Sequence, residues 1–96
     1  MSELERRAVE VIRALGPGEV VSYGDVAEDA GFPRRARAVG HLLASGVHDL
    51  PWWRVVTGSG RLVPGNEREH AARLRAEGVT VRRGHVVRSP SGRFAC

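Results

Sequence analysis

The chain has 96 residues, 42% of them hydrophobic and 27% charged, which suits one small domain with a modest core. No apolar run approaches the roughly 18 residues of a membrane span. The single cysteine, Cys96, can form no intrachain disulfide, and the four histidines lack metal-site spacing. The net charge is +4 and all fifteen cations are arginine, so nucleic acid is the leading class of partner: a basic surface gains from counterion release on phosphates.

Residues 3–15 place Leu4, Ala8, Val11, Ile12 and Leu15 at helical spacing, which predicts an amphipathic helix ended by Gly16-Pro17-Gly18. Acids and arginines alternate in this segment, so it lacks the apolar core of a signal peptide, and a cytoplasmic location is expected. "EVVSY" reads as a short extended piece. Ser22 then caps a helix through about Ala30, with Asp25 at the positive end of its dipole, and Gly31 stops it. Phe32-Pro33 opens a third helix, whose apolar face is Ala36, Val39, Leu42 and Leu43 and whose first turn holds Arg34, Arg35 and Arg37. Ser45-Gly46 ends it.

"RVVTGSGRLV" predicts a small hairpin around a glycine turn, broken by Pro64-Gly65. Asn66 caps a fourth helix, with Glu69 completing an Asn variant of the capping box, and the helix runs to about Glu77. "VTVRRGHVV" suggests a second hairpin, and "RSPSGRFAC" a loose tail. The expectation is one domain over 1–96, with its core over about 3–80 and a hairpin and tail over 81–96. Two short helices, the second arginine-rich and followed by a β wing, predict a mainly α fold with short β hairpins, winged helix-turn-helix-like. A helix pair with no DNA role stays open from pattern alone.

The residues "VVSYGDVA", "RARAVGHLL" and "PWWRVV", in that order and spacing, resemble the C-terminal DNA-binding domain of the O6-alkylguanine-DNA alkyltransferases. The resemblance spans about residues 5–80. That family carries a reactive proline-cysteine-histidine-arginine-valine segment, and here it reads Pro51-Trp52-Trp53-Arg54-Val55. Trp52 stands at the cysteine position and Trp53 at the histidine position, as in the non-enzymatic, alkyltransferase-like branch, although the commoner form there keeps the histidine. Alkyl transfer needs a thiolate and a base to take its proton, and an indole supplies neither.

The resemblance implies roles residue by residue. Tyr23 matches the tyrosine that helps rotate the target nucleotide's phosphate. Arg37 matches the arginine finger that enters the base stack, a task suited to a planar guanidinium. Ala36, Ala38 and Gly40 are small, which suits a helix pressed into the minor groove, and Arg34 and Arg35 are expected to contact phosphates. Pro51, Trp52, Trp53, Arg54, Val63 and Pro64 would form the lesion pocket, with Trp52 facing the base. The loop before Pro51 is shorter than in the enzymes and offers Ser45 and Gly46 where a hinge asparagine would sit; the lid segment Val63-Pro64-Gly65 is shorter too, which implies a more open pocket.

The function so implied is recognition of duplex DNA containing O6-alkylguanine. The protein would flip the damaged base, hold it without dealkylating it, and flag it for nucleotide excision repair proteins. No catalytic residue, cofactor or metal is expected, and the protein is expected to be a monomer. Two rivals stand beside it. A winged-helix transcriptional regulator would read a sequence in the major groove. An enzyme such as a glycosylase would need Asp25, Glu69 or Glu77 to supply the chemistry.

Overall fold

A computed structural model describes residues 1–95; Cys96 lies outside the described residues. Four helices and five short strands follow one another in the order α1 (Glu3–Arg13), β1 (Glu19–Ser22), α2 (Tyr23–Asp29), α3 (Ala36–Ala44), β2 (Val55–Val56), α4 (Glu67–Ala76), β3 (Thr80–Arg82), β4 (His85–Arg88) and β5 (Ser91–Gly92). A single 3-10 turn, Trp52–Arg54, leads into β2. No helix among the described residues is long and apolar enough to cross a membrane.

Local chemistry explains the helix starts. The Ser2 hydroxyl accepts from the Glu5 amide, and Glu3 and Glu5 sit at the positive end of α1. At α2 the Ser22 hydroxyl accepts from the Asp25 amide while Asp25 accepts from the Ser22 amide, a reciprocal pair that satisfies two otherwise orphaned donors. α1, α2 and α3 bury Ala8, Ile12, Val26, Ala27 and Val39 against one another and against Val55. A second core joins Val20, Val56, Leu62, Leu74, Val81 and Val86, with Trp53 and Phe94 packed on it. The sheet separates the two: neighbouring valines of β2 point opposite ways, Val55 to the first core and Val56 to the second.

Four expectations are corrected. Residues 54–63 do not form a hairpin. β2 pairs parallel to β1, Val21 with Val55 and Ser22 with Val56, and Arg61 bridges to His85 instead. Gly60 permits this course: at φ +91, a Cβ there would stand 2.7 Å from the Val86 carbonyl oxygen. The tail is not loose either, because β5 pairs parallel to β1, Glu19 with Ser91 and Val20 with Gly92. Helix α3 starts at Ala36, three residues after Pro33, because Arg34 takes a left-handed conformation with φ 70 that interrupts the helix. Asn66 precedes α4, but its φ of −131 and ψ of 24 keep its side chain from capping, and Glu69 pairs with Arg73 instead. The second hairpin, β3–β4, forms as the sequence indicates.

The architecture is thus a small α/β arrangement with α2 and α3 as the helix-turn-helix pair. The arginines of "PRRAR" divide between the connecting turn, which holds Arg34 and Arg35, and the first turn of α3, which holds Arg37.

Candidate DNA interface and its pocket

A cavity of about 430 Å³ opens between the N-terminus of α2, the C-terminal half of α3 and the 3-10 turn. Its wall is mostly apolar and includes Tyr23, Gly40, Leu43, Trp52, Val63 and Pro64. No carboxylate lines it. A shallower cleft of about 390 Å³ adjoins it, lined by Tyr23, Gly24, Arg37, Gly40, Thr57 and Gly58. Tyr23 and Gly40 belong to both walls, so the exposed side of α3 and the Trp52 cavity form one continuous surface. Gly40 lies against the phenol ring: a Cβ there would meet Tyr23 Cδ1 at 4.0 Å, an ordinary packing distance. Burial pushes the Tyr23 hydroxyl above its ordinary range, so it remains a neutral donor. A groove of similar size, about 460 Å³, runs between α1 and α3 and takes in Arg35, Ala38 and His41, away from both tryptophans.

The sequence-derived pocket residues therefore divide. Trp52, Val63 and Pro64 line the cavity, whereas Pro51, Trp53 and Arg54 do not. Arg34, Arg35 and Arg37 are all exposed and form no ion pair among the described residues, while Ala36 and Gly40 are half-buried beside them.

Trp52 is held from behind. Its ring meets the imidazole of His70 at 5.0 Å and the ring of Trp53 at 6.0 Å, both edge-on, and Arg73 Cζ lies 5.7 Å from its centroid. His70 is fully buried. Its Nδ1 accepts from the Val63 amide at 3.1 Å, and its Nε2 pairs with the Trp53 carbonyl at 2.8 Å. An acceptor at Nδ1 fixes the proton on Nε2 and makes the ring neutral. Burial favours the same state, lowering the imidazole pKa against the opposing carbonyl contact. His70 thus ties the cavity wall at Val63 to the 3-10 turn that carries both indoles.

Trp53 points the other way. Its Nε1–H donates to Glu77 Oε2 at 2.8 Å, and Arg54 grips the same carboxylate through Nε and Nη2, the latter at 2.7 Å. Glu77 Oε1 also accepts from the Gly18 amide at 2.8 Å, and Arg54 Nη1 donates to the Leu15 carbonyl at 2.8 Å. Burial pushes the Glu77 carboxyl up, but the Arg54, Gly18 and Trp53 donors outweigh it and hold the pKa at about 2. One carboxylate thereby joins the end of α4, the α1–β1 turn and the 3-10 turn.

Sequence reasoning missed His70 and Glu77 as parts of this support. For His70 a signal existed: it stands at helical spacing with Leu74 on the apolar side of α4, where a histidine must be satisfied by neighbours. For Glu77 there was none, since its partners lie 23, 24 and 59 residues away. The other carboxylates considered for catalysis are engaged: Asp25 caps α2 and meets Arg93, and Glu69 pairs with Arg73.

Comparison with known proteins agrees with this geometry. A DNA base-flipping protein of Escherichia coli (strain K12) is 42% identical over 81 residues, covering 79% of this chain. This chain spans only 62% of that relative's length. The crystal structure of Schizosaccharomyces pombe Atl1, in complex with damaged DNA containing O6-carboxymethylguanine, superimposes with a TM-score of 0.76 at 27% identity, covering 85% of this chain and 82% of that one. Mycobacterium tuberculosis OGT in complex with DNA gives a TM-score of 0.66 at 33% identity, covering 80% of this chain and 50% of that one. Residues 3–79 match the model of the 6-O-methylguanine DNA methyltransferase DNA-binding domain, and the chain belongs to that family.

Proposed function

We propose that this protein recognises DNA damage without repairing it: it binds duplex DNA through α2 and α3, flips O6-alkylguanine into the Trp52 cavity and holds it there. The observation that carries this reading is the shared wall of Tyr23 and Gly40, which joins an apolar, base-sized cavity to the surface that displays Arg37. Flipping a base costs a few kcal/mol, less for a poorly paired one, so the lesion supplies part of the selectivity. Tyr23 would turn the phosphate of the departing nucleotide, and Arg37 would fill the gap in the stack. Arg34 and Arg35 would contact phosphates. Trp52, Val63 and Pro64 would favour an alkylated oxygen over a bare one by apolar contact.

Trp52 stands where the family's enzymes carry their nucleophile and Trp53 where they carry their base, so the alkyl group would stay on the DNA. A persistent complex of a monomer with a flipped base would then mark the site for nucleotide excision repair proteins on the cytoplasmic chromosome. The resemblance to a base-flipping protein and to Atl1 bound to damaged DNA supports this reading.

Titration against matched duplexes containing guanine or O6-methylguanine, followed by recovery of the DNA, tests it. Tighter binding to the lesion with the methyl group retained is the expected result. Equal affinity would favour a sequence-reading regulator, and loss of the methyl group or of the base would reveal an enzyme. Arg37→Ala should weaken lesion binding more than Arg34→Ala; equal losses would reduce Arg37 to another phosphate contact.

A further inference from the structure

Residues 80–95 lie beyond the stretch that matches the family, and they hold Arg82, Arg83, Arg88 and Arg93 with no carboxylate. The β3–β4 register pairs Arg82 with His85, and a bridge pairs His85 with Arg61. The amides of Leu62 and Val86 donate to the carbonyls of Gly84 and Gly60, at 3.0 and 2.8 Å, on either side of the second pair. That makes Arg61 and His85 a non-hydrogen-bonded pair, whose side chains stand closest together. Arg61, His85 and Arg82 therefore form one row across three segments, all exposed, while Leu62, Val81 and Val86 are buried.

Neighbouring side chains in such a row are about 5 Å apart, so each arginine stands beside His85 with no carboxylate in the row to offset its charge. Among the described residues five arginines are neutralised by carboxylates: Arg6 and Arg7 pair with Glu3, Arg54 with Glu77, Arg73 with Glu69 and Arg93 with Asp25. Among the described residues, Arg61, Arg82 and Arg83 form no ion pair. The hairpin tip adds a second sign of retained charge. Arg83 holds φ 52 in a two-residue turn, where asparagine or glycine would sit with less strain. The other non-glycine residue with positive φ among the described residues is Arg34, in the turn before α3. Each basic surface thus keeps an arginine in a conformation that disfavours it.

The row starts in the turn over residues 57–61, whose Thr57 and Gly58 line the same cleft as Arg37. Through this turn, closed by the Thr57 amide on the Arg61 carbonyl at 3.2 Å, the cleft beside α3 connects to the row. We infer that Arg61, Arg82 and Arg83, flanking His85, form a second phosphate-contacting surface that grips the same duplex beyond the base pairs held by α3. This rests on the DNA-binding reading above. The surface carries no base-reading element, so it adds affinity equally to damaged and undamaged DNA.

The test measures affinity against salt concentration on long duplexes with and without O6-methylguanine, using the whole chain. Wild-type binding to neither duplex would overturn the DNA reading itself. Given wild-type binding, Arg61→Gln with Arg82→Gln should lose about 3- to 10-fold in affinity near 0.1 M salt, equally on both duplexes. The slope of log K against log salt should become shallower by about 1.8, at roughly 0.9 per phosphate contact. Arg61→Lys with Arg82→Lys should restore it. Arg83→Asn provides an arm free of folding damage, because asparagine tolerates positive φ: its thermal midpoint should hold or rise while the slope falls by about 0.9. Unchanged slopes in both variants would overturn the inference and leave the row to an acidic protein partner, and a loss confined to the lesion duplex would overturn it too.

Discussion

Trp52 and Trp53 are neighbours in the chain with ring centroids 6.0 Å apart, yet they belong to different parts of the molecule. Trp52 lines the cavity beside Tyr23 and Val63 and is backed by a buried histidine. Trp53 packs on the second core and ends in a hydrogen bond to Glu77. A 3-10 turn separates the two indoles as effectively as an extended strand would, with their planes 87° apart. Adjacent large side chains thus divide cavity lining from support, and on the proposed function each substitution should move one property and spare the other.

Glu77→Ala should be the most damaging change on the supporting side. Arg54 and Glu77 are each only 13% exposed in their side chains, and removing one partner of a buried pair typically costs about 3–5 kcal/mol. Urea unfolding measures this, and a loss below about 1 kcal/mol would demote the Glu77 hub to a surface ion pair. The same carboxylate sets an acid limb. Its pKa is about 2 in the folded chain against an ordinary 4.5, so the stabilisation is complete above pH 4.5 and is lost as pH falls towards 2. The Glu77→Ala variant should show a flatter stability profile over that interval.

Trp53→Phe keeps an aromatic ring on the second core and removes the donor to Glu77, so it should lower stability by at least about 1.5–3 kcal/mol, typical of a hydrogen bond to a charged group. Lesion preference should stay as in the wild type. Trp52→Ala should do the reverse in kind: a loss of about tenfold in preference for O6-methylguanine duplex, or about 1.4 kcal/mol, read by competition binding on folded protein. If Trp53→Phe cut the preference and Trp52→Ala did not, the assignment of the two indoles would be exchanged.

The smallest effect belongs to His70. Its imidazole is buried and neutral with a lowered pKa, so the unfolded chain takes up a proton that the folded one refuses. Stability should be complete above pH 6.5 and decline as pH falls below that value towards the folded pKa. Thermal midpoints between pH 7 and 5 check the direction, and His70→Gln should remove the dependence.

The helices were legible because their signals are local. The apolar spacing of α1 and the Ser22–Asp25 cap can be read within one turn of chain. β2 and β5 were not, because each has two residues and takes its hydrogen bonds from β1, which lies tens of positions away in the chain. Val55-Val56 has the composition of a strand, but only the fold shows that its partner is Val21-Ser22 rather than the residues after Gly60. The start of α3 failed for another reason: Pro33 is a good first residue, but the strained Arg34 that follows cannot be read from composition. Of the cavity wall, Trp52, Val63 and Pro64 were named from a short segment, while Leu43 and Gly46 come from the far end of α3 and its exit loop.

The return of the chain at Ser91–Gly92 has a consequence for solubility. β1 lies in the middle of the sheet, with β2 on one side and β5 on the other. Gly92 fits there because it lacks a side chain: a Cβ would stand 2.3 Å from the Val20 carbonyl oxygen. Without residues 91–93, the Gly18 and Val20 carbonyls, which accept from the Ser91 and Arg93 amides, would lie on an open edge beside an apolar core. Such an edge is a template for pairing with another copy of the chain, so the last strand acts as a cover against aggregation.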